Sequence, residues 1–159
     1  MDNETSVGEA YAQEINSLHI PVDAGEFAAG LEAVLHRIPD GWGRSIWCER
    51  GWYPIVVDVD RQLAEIDPAY IVHQVKEKFG GLRYYFTPSD TANEPQVRKM
   101  RDVVARAERK ATGTCEVCGA TADVDLRKGS HWQTACSTCA SLMISNKSND
   151  LRTSKCRQS

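Results

Sequence analysis

The sequence predicts an α+β fold, mainly helical in its N-terminal part, with a small sheet and a compact cysteine-rich module near the C-terminal end. Three observations carry this. Apolar residues recur at steps of three and four in several stretches before residue 112, each framed by helix start and stop signals. One segment, Leu82–Phe86, alternates instead: Leu82, Tyr84 and Phe86 share one side, Arg83 and Tyr85 the other. Four cysteines form two close pairs, Cys115-x2-Cys118 and Cys136-x2-Cys139.

Taken in order, Ser6-x-x-Glu9 has the form of a capping box, and Tyr11, Ile15 and Leu18 follow at helical spacing, so a first helix is expected from Val7 to Leu18. Pro21 stops it. Asp23-x-x-Glu26 opens a second helix with Phe27, Leu31, Val34, Leu35 and Ile38 on one face, closed by Pro39-Asp40-Gly41. A glycine-rich stretch carrying Trp42, Trp47 and Trp52 comes next, with a short strand expected from Ser45 to Cys48. Pro54 suits the first turn of a helix, and Val56, Val59, Leu63 and Ile66 continue it. Asp67-Pro68 reads as an N-cap with proline at the first helical position. A helix is therefore expected from Pro68 to Phe79, with Ile71, Val72, Val75 and Phe79 inward and Gly80-Gly81 as its terminator. The strand Leu82–Phe86 follows. Glu94-Pro95 opens a long helix to Ala111 with Val97, Met100, Val104, Ala107 and Ala111 inward and Arg98, Lys99, Arg101, Arg106, Arg109 and Lys110 outward. The expected organisation is an α+β domain at 1–112, a four-cysteine module at 113–145 and a flexible polar tail at 146–159.

The chain has 159 residues, 42% of them hydrophobic, enough for one domain and a small module. No apolar run approaches the length of a membrane span, and the first residues are polar and acidic rather than a secretory leader. A reducing, cytoplasmic location is the expectation. Six cysteines then read as metal binding rather than as a disulfide framework. Cys48 reads as a small buried residue and Cys156 as an incidental thiol of the tail. The net charge of −3 hides an asymmetry: residues 1–70 hold thirteen acids and four bases, residues 71–159 nine acids and fifteen bases. Either a basic face for an acidic partner or ordinary solvated surfaces account for it.

Two Cys-x2-Cys pairs joined by a hairpin-length segment complete a tetrahedral thiolate site, and the expected cofactor is one structural Zn2+ held by Cys115, Cys118, Cys136 and Cys139. Gly119 permits the tight turn of a knuckle. Ala122–Arg127 and His131–Ala135 can form a hairpin, and Ala140–Ile144 a helix leading from the second pair. That order resembles a treble clef; a zinc ribbon would lack the helix. Four thiolates leave no open position, so the site is structural rather than catalytic. Trp132 is expected to cover it.

The second distinctive segment is Lys76-Glu-Lys-Phe-Gly-Gly-Leu-Arg-Tyr-Tyr85. It gathers Lys76, Lys78, Arg83 and Tyr85 around one turn, a mixture that suits phosphate and stacking contacts. The plainer alternative pairs Arg83 with an acid such as Glu77 and leaves the lysines solvated. Together with Gly51-Trp-Tyr-Pro54, Cys115-x2-Cys118-Gly119 and Trp132-x2-Thr-x-Cys136, this segment resembles a family of uncharacterised proteins of bacteriophages and prophages, over roughly residues 41–140. The resemblance implies a small cytoplasmic accessory protein with a zinc module and no assigned activity.

No nucleotide-binding glycine loop, serine elbow or HExxH pair is present. The expected function is non-enzymatic binding of DNA or RNA through the basic C-terminal half, with Lys76, Lys78, Arg83, Tyr85, Arg98, Arg101 and Arg106 as contact residues. The alternative is a protein-binding adaptor anchored by Trp42, Trp47, Trp52 and Tyr53 that engages a host or phage protein. An HNH-type nuclease, with His131 on the expected hairpin as its histidine, is the enzymatic reading; Asn146 and Asn149 lie past a short helix, and there is no clear His-Asn-His run.

Overall fold

Helix α1 (Asn3–Asn16) leads into strand β1 (Leu18–His19), and a 3-10 turn at Gly25–Phe27 runs into α2 (Ala28–His36). Then come β2 (Arg44–Trp47), a second 3-10 turn at Arg50–Trp52, α3 (Tyr53–Ile66), β3 (Ile71–Lys78), β4 (Gly81–Thr87) and α4 (Glu94–Thr112). The hairpin β5 (Val124–Arg127) and β6 (Gln133–Cys136) follows, and the chain is helical again from 137 to 144. This computed structural model describes residues 3–144; the expected polar tail, with Asn146, Asn149 and Cys156, lies outside the described residues.

The larger sheet has the order β1-β2-β3-β4. β1 pairs with β2 and β2 with β3 in parallel; β3 and β4 are antiparallel. Parallel neighbours need a crossover, and α2 and α3 supply the two. The antiparallel pair needs only a tight turn. Phe79 and Gly80 form it, with φ of 52° and 76°, the two positive values of a type I′ hairpin turn. The architecture is thus α+β as expected, a mixed sheet with helices on it and a second two-stranded sheet in the cysteine segment.

The helix expected from Pro68 to Phe79 is not formed; those residues are a turn and β3. A register shift between Val72 and Gln74 explains why the pattern looked helical. The bulge inserts one residue, so Val72 and Val75 are both fully buried although three positions apart. A helix gives the same spacing. Asp67, expected as its N-cap, instead accepts from the backbone N–H of Ser89 (2.7 Å) and the Ser89 hydroxyl (2.8 Å), fixing the β4–α4 loop to the end of α3. Phe79, expected inward, is exposed at the turn.

Helices α2, α3 and α4 pack over one face of the sheet. Leu31, Val34, Leu35, Val56, Val59, Leu63, Val72, Val75, Leu82 and Met100 are fully buried between them. The helices begin and end where local chemistry dictates. Asn93 and Gln96 form a reciprocal capping box on α4, with Pro95 in its first turn. A buried polar cluster crosses the layers: Asp60 of α3 accepts from Arg37 Nε (2.6 Å) and from the Tyr70 hydroxyl, which also meets the Tyr84 hydroxyl at 2.9 Å. Burial pushes both phenols well above their ordinary range. With the Arg37 guanidinium on Asp60 and on the carbonyls of Pro68 and Tyr70, the cluster is satisfied and locks α2, α3 and the β3–β4 hairpin in register.

The cysteine segment has its own apolar cluster of Cys115, Ala135, Cys136 and Cys139, with Val117, Ala120 and Val124 against it. It is fastened to the larger sheet at two places, and both are motifs singled out in the sequence. At the first, Gly51 N–H donates to the Glu116 carbonyl (2.6 Å) and Trp52 Nε1–H to the Thr114 carbonyl (2.8 Å). A Cβ on Gly51 would strike the carbonyl oxygens of Cys115 and Glu116, so only glycine lets the two backbones meet. At the second, the Thr134 hydroxyl donates to the Gly80 carbonyl (2.6 Å), and a Cβ on Gly80 would strike Leu126.

Candidate metal centre and open sheet face

Cys115 and Cys118 sit on the knuckle turn, Cys136 ends β6 and Cys139 lies in the first turn of the 137–144 helix. Their four sulfurs lie within 4.8 Å of one another. Cys118 Sγ and Cys136 Sγ are 3.8 Å apart, too far for a disulfide. A tetrahedral ion with metal–sulfur bonds of about 2.3 Å spaces its sulfurs roughly 3.8 Å apart, so the donor set fits. Backbone amides turn toward the sulfurs: Cys139 N–H approaches Cys136 Sγ at 3.5 Å. Burial pushes the Cys115 thiol up, but the amides of Cys136, Cys118 and Val117 outweigh it and hold it down at about 7. Burial and the neighbouring sulfurs push Cys139 the other way. The cluster can hold a metal ion, and it is the only such group of Cys, His, Asp and Glu among the described residues.

His131 takes no part in it. It is exposed on the hairpin loop, its Nε2 3.6 Å from Glu77 Oε2. Trp132, expected to cover the metal, is 39% exposed and packs edge-on against Phe79, ring centroids 6.0 Å apart. Cys48 is half-buried; burial and the carboxylates of Glu116, Glu49 and Asp23 raise its thiol, consistent with an inert side chain. The three clustered tryptophans separate: Trp52 is fully buried, while Trp42 and Trp47 are 60% and 64% exposed.

The expected contact residues fall on two faces. Register places Trp47 of β2 beside Lys76 of β3 and Lys76 beside Arg83 of β4; Gln74 and Tyr85 form the next row on that side. Val75 and Tyr84, between these rows, point the opposite way and are buried under the helices. Trp47, Lys76, Lys78, Arg83 and Tyr85 therefore share the helix-free face of the sheet. Lys76 Nζ lies 5.6 Å from the Tyr85 ring centroid. Arg83 donates to the Leu82 carbonyl (2.8 Å) and does not pair with Glu77, whose Oε1 accepts from Gly80 N–H. Arg98, Arg101 and Arg106 are exposed on α4, in the helical layer on the other side. The two cationic sets do not form one surface.

Sequence reasoning missed a third feature. A cavity of about 340 Å³ opens at the ends of the parallel strands, where Asp23, Trp47, Glu49, Glu77, Glu116 and His131 meet. Glu116 is 2% exposed; its Oε1 accepts from Glu49 N–H at 3.2 Å, and its Oε2 has no partner. Burial pushes its carboxyl up to about 7. The excess of acids in residues 1–70 was the visible signal, but nothing in sequence pointed to Glu116, which lies between two cysteines.

No family model, curated protein or solved structure matches this chain.

Proposed function

We propose that this chain is a non-enzymatic nucleic-acid-binding protein whose four cysteines hold one structural Zn2+ and whose contact surface is the helix-free sheet face. The observation that carries this reading is the row Trp47–Lys76–Arg83 with Tyr85 in the next: cations and aromatic rings lie side by side on an uncovered sheet. Aromatic side chains stack on unpaired bases, and neighbouring cations neutralise the backbone phosphates. Lys76, Lys78 and Arg83 pair with no carboxylate among the described residues, so their charge is available. The closed thiolate set, with no position for water, supports a structural rather than a catalytic metal. The helix leading from the second cysteine pair supports a treble clef over a ribbon. The HNH-type reading loses its support in the described residues, where His131 joins no metal-capable group.

A protein-binding adaptor is the second reading, favoured by the exposure of Trp42, Trp47 and the Phe79–Trp132 pair. Zinc-loaded protein titrated with fluorescent single-stranded DNA or RNA separates the two. Nucleic-acid binding weakens steeply with added salt. Absence of binding to single strands and duplex at low salt defeats the first reading.

A further inference from the structure

We propose that the cavity at the strand ends is a receptor for a basic side chain of a polypeptide partner, a guanidinium or alkylammonium on a flexible arm. This inference does not rest on the nucleic-acid reading, although Trp47 and Lys78 border both surfaces.

The placement is the first ground. In sheets with parallel strands and helical crossovers, ligands collect outside the carboxyl ends of the strands. Asp23 follows β1, Glu49 follows β2, and Glu77 lies at the end of β3, so the three parallel strands each deliver a carboxylate to one mouth. The cysteine segment closes the other side with Glu116 and His131.

The second ground is the unmet acceptor. Glu116 lines the cavity, and its Oε2 is buried without a hydrogen-bond partner. Buried carboxylate oxygens are stable when a donor reaches them, and a basic guest in the cavity would bring one beside the neighbouring Gln133 side chain. Four carboxylates against one imidazole make a cation the complementary guest. An inner-sphere metal ion is disfavoured because these oxygens do not converge; only the four cysteines do so among the described residues. A space of about 340 Å³ instead suits an organic group. Trp47, mostly exposed at the rim, offers its ring to such a cation.

The adjoining surface identifies the source. Glu77 and His131 also border a wider groove of about 700 Å³ that continues past Phe79 and Trp132. A chain that places a basic residue among the carboxylates lays its next apolar residue against these two rings. A free small cation would leave the groove unused.

The test is calorimetric titration of the zinc-loaded full chain with a capped Gly-Leu-Arg-Leu-Gly peptide, the same peptide with neutral citrulline replacing arginine, and agmatine. The arginine peptide is expected to bind at least tenfold tighter than the citrulline peptide and tighter than agmatine. Glu116→Gln is expected to weaken it about tenfold and Glu49→Gln a few-fold, with zinc content unchanged. Glu49 is exposed, so its variant reports even where Glu116→Gln fails to fold. Equal binding of the arginine and citrulline peptides, no binding of either, or full affinity in Glu49→Gln overturns the proposal. Agmatine matching the peptide overturns the polypeptide source in favour of a free cation.

Discussion

The cysteine segment and the open sheet face use their residues in opposite ways. Around the cysteines nearly every group is engaged: sulfurs face sulfurs, amides turn toward them, and Gly51, Trp52 and Gly80 meet the segment at contacts that leave no space for another atom. On the sheet face, Trp47 and Tyr85 are exposed, and Lys76, Lys78 and Arg83 carry no carboxylate partner among the described residues. The first region is built to hold its own shape. The second holds side chains that the fold does not need. The proposed function belongs on the second, and the first holds that surface in place, since the hairpin bearing Lys76, Lys78 and Arg83 is fastened to it through Gly80 and Thr134.

Substitutions sharpen this contrast, and the largest effects are expected at the cysteines. Serine at Cys115 or Cys136, or chelation, removes a metal contribution on the order of 10 kcal/mol and unfolds the segment. Metal analysis with amide exchange checks this; retention of one equivalent of zinc by either variant breaks the staple account. Next comes the Gly51–Trp52 seam. Trp52→Ala should cost about 3–5 kcal/mol by denaturant unfolding. Gly51→Ala should be destabilising by an amount unusual for one added methyl, since its Cβ meets backbone carbonyls rather than a yielding side chain. Asp60→Ala strands Arg37 and the Tyr70 hydroxyl in the core and should cost about 3–5 kcal/mol.

Effects on the sheet face should be small in stability and large in binding. Trp47→Ala should change unfolding by no more than about 0.5 kcal/mol. It should weaken single-strand binding by about 1–3 kcal/mol, roughly five- to 150-fold. A loss of stability instead would move Trp47 into the structural half of the comparison. Smallest of all should be charge reversal at Arg98 or Arg106, which lie on the helical layer away from the stacking residues.

The sequence made the strongest patterns legible. The α4 helix, the Leu82–Phe86 strand and the cysteine hairpin stand where periodicity and spacing put them. The failures have definite causes. A bulge gave β3 the Val72–Val75 spacing of a helix, and the type I′ turn was hidden because Phe79, not asparagine or glycine, takes its first position. Gly51 could not be read as a docking residue because what it touches lies in the cysteine knuckle. The tryptophans looked alike in sequence, yet only Trp52 is core. Charge and ring type single out the candidate contact residues in the sequence, but nothing local reveals that Lys76 and Arg98 end on different layers. The carboxylate cavity draws on four separate elements and exists only once the fold has formed.

The central claim is that binding resides on the helix-free sheet face. Fluorescence anisotropy of zinc-loaded Lys76→Glu/Arg83→Glu and Arg98→Glu/Arg101→Glu proteins with one single-stranded oligonucleotide tests it directly. The account predicts that the first pair abolishes salt-sensitive binding and that the second leaves most of it. Loss of binding in the α4 variant with retention in the sheet variant contradicts it.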